Sequence, residues 1–129
     1  MFQLLAIYLT SAILGIMFFF SFVVAPITFT SLNEENARKF IRRMFPYYYN
    51  VNLGISLIVT LIFAFIESFH LDFFLILLVA LLFALSNYIL MPLINKYRDN
   101  NQDKKFKFSH FISVVINFLQ MIFLIIILI

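Results

Sequence analysis

The stretch FSHFISVVINFLQMIFLIIILI, beginning at Phe108, sets His110, Ser113 and Asn117 at i, i+3 and i+7. At about 100° per residue these positions form one narrow stripe of a helix, with Gln120 at its edge and Met121 continuing it. Three chemistries use such residues. An imidazole next to a hydroxyl can serve as base and nucleophile, a lone imidazole can hold haem iron, and amides with hydroxyls can hydrogen-bond a small polar group. A second stripe, Tyr49, Asn52, Ser56 and Thr60, has the same spacing, and Asn87 stands between Ser86 and Tyr88. Ser11, Gly15 and Ser21 lie near the N-terminus, where Gly15 would permit close backbone approach.

Several reactions are excluded by what accompanies these residues. The count of cysteines is zero, which removes disulfides, thiolate nucleophiles, iron–sulfur clusters and Cys-ligated zinc. No carboxylate interrupts the apolar stretches; Glu67 and Asp72 flank a short turn. That argues against a proton-coupled carrier, a di-iron carboxylate site and an aspartyl protease. Ser113 and His110 share a helix with no orienting acid nearby, which argues against a hydrolase. We therefore assign no catalytic residue and no metal-ligating set. Haem is the cofactor these residues leave open, through His110. His70 falls at the opposite end of the apolar stretches, some 30 Å from His110 for about 20 residues at ~1.5 Å each, so the two cannot ligate one iron.

The elements that must position these groups follow from composition. Of 129 residues, 64% are hydrophobic and 12% charged, with mean hydropathy +1.06. Such a chain has too little polar surface to cover a globule in water, so an integral membrane protein is expected. Four apolar stretches, about 3–25, 46–66, 72–92 and 109–129, are each long enough to cross ~30 Å of hydrocarbon. Their continuous apolarity specifies helices and excludes barrel strands. The first lacks a positive leading region and has Pro26 after its one plausible cleavage residue, Ala25, so it reads as a retained helix. All nine Lys and Arg lie in two connections: Arg38, Lys39, Arg42 and Arg43, then Lys96, Arg98, Lys104, Lys105 and Lys107. By the positive-inside rule both connections face the cytoplasm and both termini lie outside the cell membrane. The pI of about 9.3 is thus a topology signal; the expected partner is the lipid bilayer, and nucleic acid is not expected.

One domain is predicted over 1–129: an all-α, four-transmembrane-helix antiparallel up-down bundle. Pro26, Pro46 and Pro92 are read as marking cytoplasmic helix ends. Between the first two helices, Ala37, Phe40, Ile41, Met44 and Phe45 recur at helical spacing with charges opposite, which predicts an interfacial amphipathic helix over about 32–45. Ser31 and Glu34 have the spacing of a capping box, and Glu34–Arg38 and Glu35–Lys39 that of i,i+4 ion pairs. NKYRDNNQDKKFK lacks apolar periodicity and reads as a loop, while PYYYN fits an aromatic belt. Asn52, Asn87 and His110 fall in the cytoplasmic half, with Ser56 and Asn117 near the midplane. Tyr49, Asn52, Asn87, His110, Ser113 and Asn117 form the predicted ligand-binding polar cluster. Ser11, Ser21, Ser56 and Thr60 are assigned to packing hydrogen bonds between helices.

GIMFFFSFVVAPITFTSL in the first helix, Ala37, Phe40 and Phe45–Tyr49, NYILMP at Asn87–Pro92 and FSHFISVVIN at Phe108–Asn117 occur in a characteristic order. Together they resemble the transmembrane protein 205-like family of small four-helix membrane proteins. The resemblance puts the family's characteristic positions at Phe20, Ala25, Pro26, Phe45, Pro46, Tyr48, Asn87, Pro92, His110, Ser113 and Asn117. It implies no biochemical activity. The resulting expectation is a non-enzymatic membrane protein that binds a small or lipidic ligand, or supports another membrane protein or a second copy of itself. A haem or redox protein using His110 and a small transporter are the alternatives.

Overall fold

A computed structural model describes residues 1–129. Four helices, each long and apolar enough to cross a membrane, account for almost the whole chain: α1 Phe2–Ser31, α2 Glu34–Phe65, α3 Leu71–Asp99 and α4 Asp103–Leu128. α1 packs on α2 and α4, and α3 packs on α2 and α4, with no close backbone approach across either diagonal. Phe2 of α1 meets Phe65 at the far end of α2 (ring centroids 5.3 Å apart), and Phe20 meets Phe45 (5.5 Å). Along α1 the buried residues Ala6, Thr10, Ile13, Met17 and Phe20 alternate steps of four and three, the spacing of one inward helical stripe. All of these but the polar Thr10 join Tyr48, Tyr49, Val59, Ile76, Val79, Phe83, Met121 and Leu124 in a single apolar core. Only 28 of 129 residues are buried, and large apolar side chains such as Phe19, Leu61, Phe65, Leu71 and Phe111 point outward. In water that surface would be an aggregation site; in hydrocarbon it needs no cover.

All four helices run past the apolar stretches. None of the three prolines ends its helix. Pro46 lies inside α2, and the helix expected over about 32–45 begins at Glu34 and runs through it into the second apolar stretch without a break. Pro26 and Pro92 each follow a five-residue π-helical turn, Phe20–Val24 and Ser86–Leu90. There the Ala25 N–H bonds to the Phe20 carbonyl, and the Met91 N–H to the Ser86 carbonyl, five residues back in each case. A proline ring crowds the carbonyl four residues before it, and a widened turn just upstream lets the helix continue through that clash.

The ends differ from expectation for related reasons. Because α1 reaches Ser31, the N-cap of α2 falls to Asn33, whose Oδ1 accepts the Asn36 N–H at 2.8 Å; Ser31 does not cap it. The polar segment after Pro92 is helical on both sides of a three-residue turn, 100–102. That turn is a Schellman closure: Asn101 has φ 54°, its N–H bonds the Arg98 carbonyl, and the Gln102 N–H bonds the Tyr97 carbonyl. Glu67 (φ 55°) closes α2 in the same way, with Glu67 bonded to Ala64 and Ser68 to Phe63. The two i,i+4 pairs form as expected, Glu34 with Arg38 and Glu35 with Lys39. Arg42 clamps Asp99 with both guanidinium nitrogens, at 2.6 and 3.3 Å, and Arg98 reaches Glu34 at 3.4 Å, so ion pairs tie the start of α2 to the end of α3.

Candidate functional site

Three helices meet in a chain of side-chain hydrogen bonds. Tyr48 on α2 donates its hydroxyl to Asn117 Oδ1 on α4 at 2.8 Å, and Asn117 Nδ2 donates to Ser21 Oγ on α1 at 3.0 Å. Ser21 sits in the π turn, so the same backbone widening that admits Pro26 sets the angle at which its hydroxyl faces Asn117. The Tyr48 ring is buried and stacks on Phe20 (centroids 4.4 Å, interplanar 26°), which fixes where its hydroxyl points. Phe45 stacks on Tyr49 at 5.5 Å and 13°, building an aromatic wall beside it.

These groups form the floor of a groove between α1 and α4 with a volume of about 340 Å³. Phe20, Ser21, Phe22, Ala25, Pro26 and Phe29 of α1 form one side, with His110, Ser113, Val114, Asn117 and Phe118 of α4 opposite and Phe45, Tyr48 and Tyr49 of α2 beneath. Pockets of ~300–1,000 Å³, mostly apolar with a few convergent polar groups, are the usual size for small-ligand sites. The lining contains no carboxylate. Ser113 donates its hydroxyl to the His110 carbonyl at 2.7 Å, so it is not aimed at the imidazole. The His110 ring stacks flat on Phe106 (5.8 Å, 4°), and the Arg98 guanidinium lies 4.5 Å over the same Phe106 ring. Such a site can grip an amphiphile, with aromatic surface for its apolar body and hydroxyl and amide groups for a polar one.

Of the residues singled out from sequence, Tyr49, His110, Ser113 and Asn117 line this groove. Asn52 stands apart from it, fully buried, with Nδ2 donating to the Tyr48 carbonyl at 2.9 Å and Oδ1 without a partner. Asn87 also stands apart, on the α2–α3 face, where Asn50 Oδ1 accepts from Asn87 Nδ2 at 2.9 Å and from the Tyr88 hydroxyl at 3.1 Å. Ser56 and Thr60 bond the carbonyls one turn back on their own helix, Asn52 and Ser56. Gly15 meets no neighbour within 4 Å of where a Cβ would stand, so it marks no close helix approach. Two members of the central chain, Tyr48 and Ser21, lie outside the polar cluster expected from sequence. Tyr48 lies four residues before Asn52 and so belongs to the polar stripe of α2 as much as Tyr49 does. Ser21, expected to make a packing hydrogen bond between helices, makes one with Asn117 of α4, from a π turn that shifts its direction off the 3.6-residue period. Gln120, at the edge of the α4 stripe, is buried and donates Nε2 to the Val79 carbonyl on α3 at 3.1 Å.

Comparison with known proteins matches residues 8–103 to a family described as "Domain of unknown function (DUF4149)". A protein of Aquifex aeolicus described as uncharacterized is 33% identical over 113 residues, covering 88% of this chain and 83% of its own. No solved structure matches.

Proposed function

The chain belongs to this DUF4149 family, and from that premise we propose that it is a multi-pass membrane protein that holds a small or lipidic amphiphile in the α1–α4 groove. The observation that carries the reading is the Tyr48–Asn117–Ser21 chain at the floor of an otherwise aromatic slot. Polar side chains within hydrocarbon are costly unless they face a partner or a cavity, and here three helices bring theirs to one cavity. The resemblance to the transmembrane protein 205-like family supports the same site. Phe20, Ala25, Pro26, Phe45, Tyr48, His110, Ser113 and Asn117, all among its characteristic positions, line the groove.

The four helices run up and down in the bilayer as an antiparallel bundle, a reading supported by the Phe2–Phe65 and Phe20–Phe45 contacts. Both basic connections face the cytoplasm and both termini lie across the membrane. The first turns of α2, with Ala37 and Ile41 buried and the ion pairs outside, lie in the headgroup layer, and the groove opens at that depth.

The test is photolabelling of the purified, delipidated protein with a photoreactive long-chain alcohol. Labelled peptides should map to α1 and α4 around Phe22, Pro26 and Phe118, and a groove-filling Ser113→Trp should remove most of that label. Label spread evenly over the outer faces and indifferent to Ser113→Trp would refute the reading. A second reading, haem held through His110, rests on the one imidazole in an aromatic groove. The lining offers no Met or second His; besides His110, its side chains of a type that can ligate haem iron are Tyr48 and Tyr49. A Soret band in the purified protein, lost in His110→Ala, would favour haem over the amphiphile.

A further inference from the structure

We propose that the ligand of the groove is an anionic amphiphile whose charged head is held at the groove mouth by Lys107; this inference rests on the amphiphile reading above. Lys107, His110, Val114 and Asn117 recur at steps of three, four and three along α4, which puts them on one face of the helix. The last three line the groove, from its rim to the Asn117–Tyr48 floor. Lys107 stands one turn beyond His110 on that stripe, toward the basic end of the molecule. A chain lying in the slot therefore brings its head to this lysine.

Charge bookkeeping singles out the same residue. Of nine cations, Arg38, Lys39, Arg42 and Arg98 are paired with carboxylates, and the Lys105 ammonium lies 5.6 Å over the Tyr97 ring. Arg43, Lys96, Lys104 and Lys107 have no carboxylate in ion-pair contact, and only Lys107 belongs to the groove stripe. Asp103, one turn earlier on α4, is not paired with it. The lining adds no negative charge, and Arg98, next to the Phe106–His110 stack, is already paired with Glu34, which leaves Lys107 as the unpaired cation of the stripe. An uncharged head would leave this positive mouth facing only solvent and lipid headgroups. A carboxylate or phosphate head completes it.

The two sources of such a head are a free fatty acid and a phosphate-bearing lipid, and three probes of one chain length separate them: hexadecanol, palmitate and hexadecyl phosphate. Binding to the delipidated protein in neutral detergent is read by native mass spectrometry. Hexadecanol should bind, and at least one of the anionic probes should bind about fivefold or more tightly, with that margin shrinking in high salt. Lys107→Gln, an exposed position, should abolish the margin while leaving hexadecanol binding unchanged. The tighter of the two anions identifies the source. Equal binding of all three probes, or a margin that survives Lys107→Gln, overturns the anionic head while leaving the groove reading intact. Failure of every probe to bind the unaltered protein overturns the groove reading itself.

Discussion

A phenol hydroxyl buried among apolar rings needs an acceptor, and Tyr48 finds it on another helix, in Asn117 Oδ1. Hydrogen bonds of this kind between membrane helices contribute about 0.6 kcal/mol on average and ~1.7 at most. Tyr48→Phe should therefore lower stability by about that amount, and a double-mutant cycle of Tyr48→Phe with Asn117→Leu, followed by unfolding in mixed micelles, should return a coupling of the same size. A coupling near zero would mean that the contact is incidental. Asn52 is the opposite case. Its Oδ1 is buried with no partner, and an orphaned buried acceptor costs about 1–3 kcal/mol. Asn52→Leu, which keeps the branched skeleton and the heavy-atom count, should raise the unfolding midpoint while leaving groove labelling intact. Asn117 and Asn52 read alike in sequence, as amides in apolar stretches. What separates them is which helix faces each one, and no spacing rule supplies that.

At the level of elements, the helices announce themselves by long apolar runs and their ends do not. Proline was expected to stop α1 and α3, but a π turn ahead of Pro26 and of Pro92 lets each continue. The two turns have the same length and the same offset from their prolines, so one backbone device occurs in both halves of the chain. Ser21 and Asn87 occupy the second position of each; Ser21 reaches α4 and Asn87 reaches α2. The connections after α2 and after α3 use another device, a left-handed residue closing the helix. Glu67 adopts φ 55° without being glycine, a conformation costing a side-chain-bearing residue about 1–2 kcal/mol. Part of that returns as extra chain entropy when glycine is introduced, so Glu67→Gly should stabilise by about 0.5–1 kcal/mol. Glu67→Val should destabilise, since β-branching makes positive φ harder still. Thermal unfolding in detergent checks both signs.

For the whole molecule, the ion pairs at the basic end hold α2 against α3. The Arg42 guanidinium, chiefly through its hydrogen bonds, keeps the Asp99 carboxyl below its ordinary value of 3.8. A carboxyl with a lowered folded value stabilises above its unfolded value, and that stability is lost as pH falls through the folded one. The unfolding midpoint should thus be flat at neutral pH and fall below about pH 4, and Asp99→Asn should flatten part of that fall. An unchanged acid limb in Asp99→Asn would place the effect elsewhere. At the same scale, the charge asymmetry predicts topology. A C-terminal alkaline phosphatase fusion should be active and a C-terminal fluorescent protein dark, and the reverse pattern would invert the proposed orientation.

Composition and hydropathy by themselves determined that the chain has four apolar stretches long enough to span a membrane as helices, with all basic charge clustered in two segments between them. Those properties sum over many residues, so a local departure such as a π turn does not alter them. Asn117 could be suspected from sequence for a similar reason: an amide far from water requires a partner wherever the helices lie. Which partner it has was decided by tertiary structure alone. A hydrogen bond depends on ångström-scale distance and direction between residues that are 69 and 96 positions apart. The tertiary structure thereby drew Tyr48 and Ser21 to Asn117, left Asn52 alone in the core, and sent Asn87 to a different face.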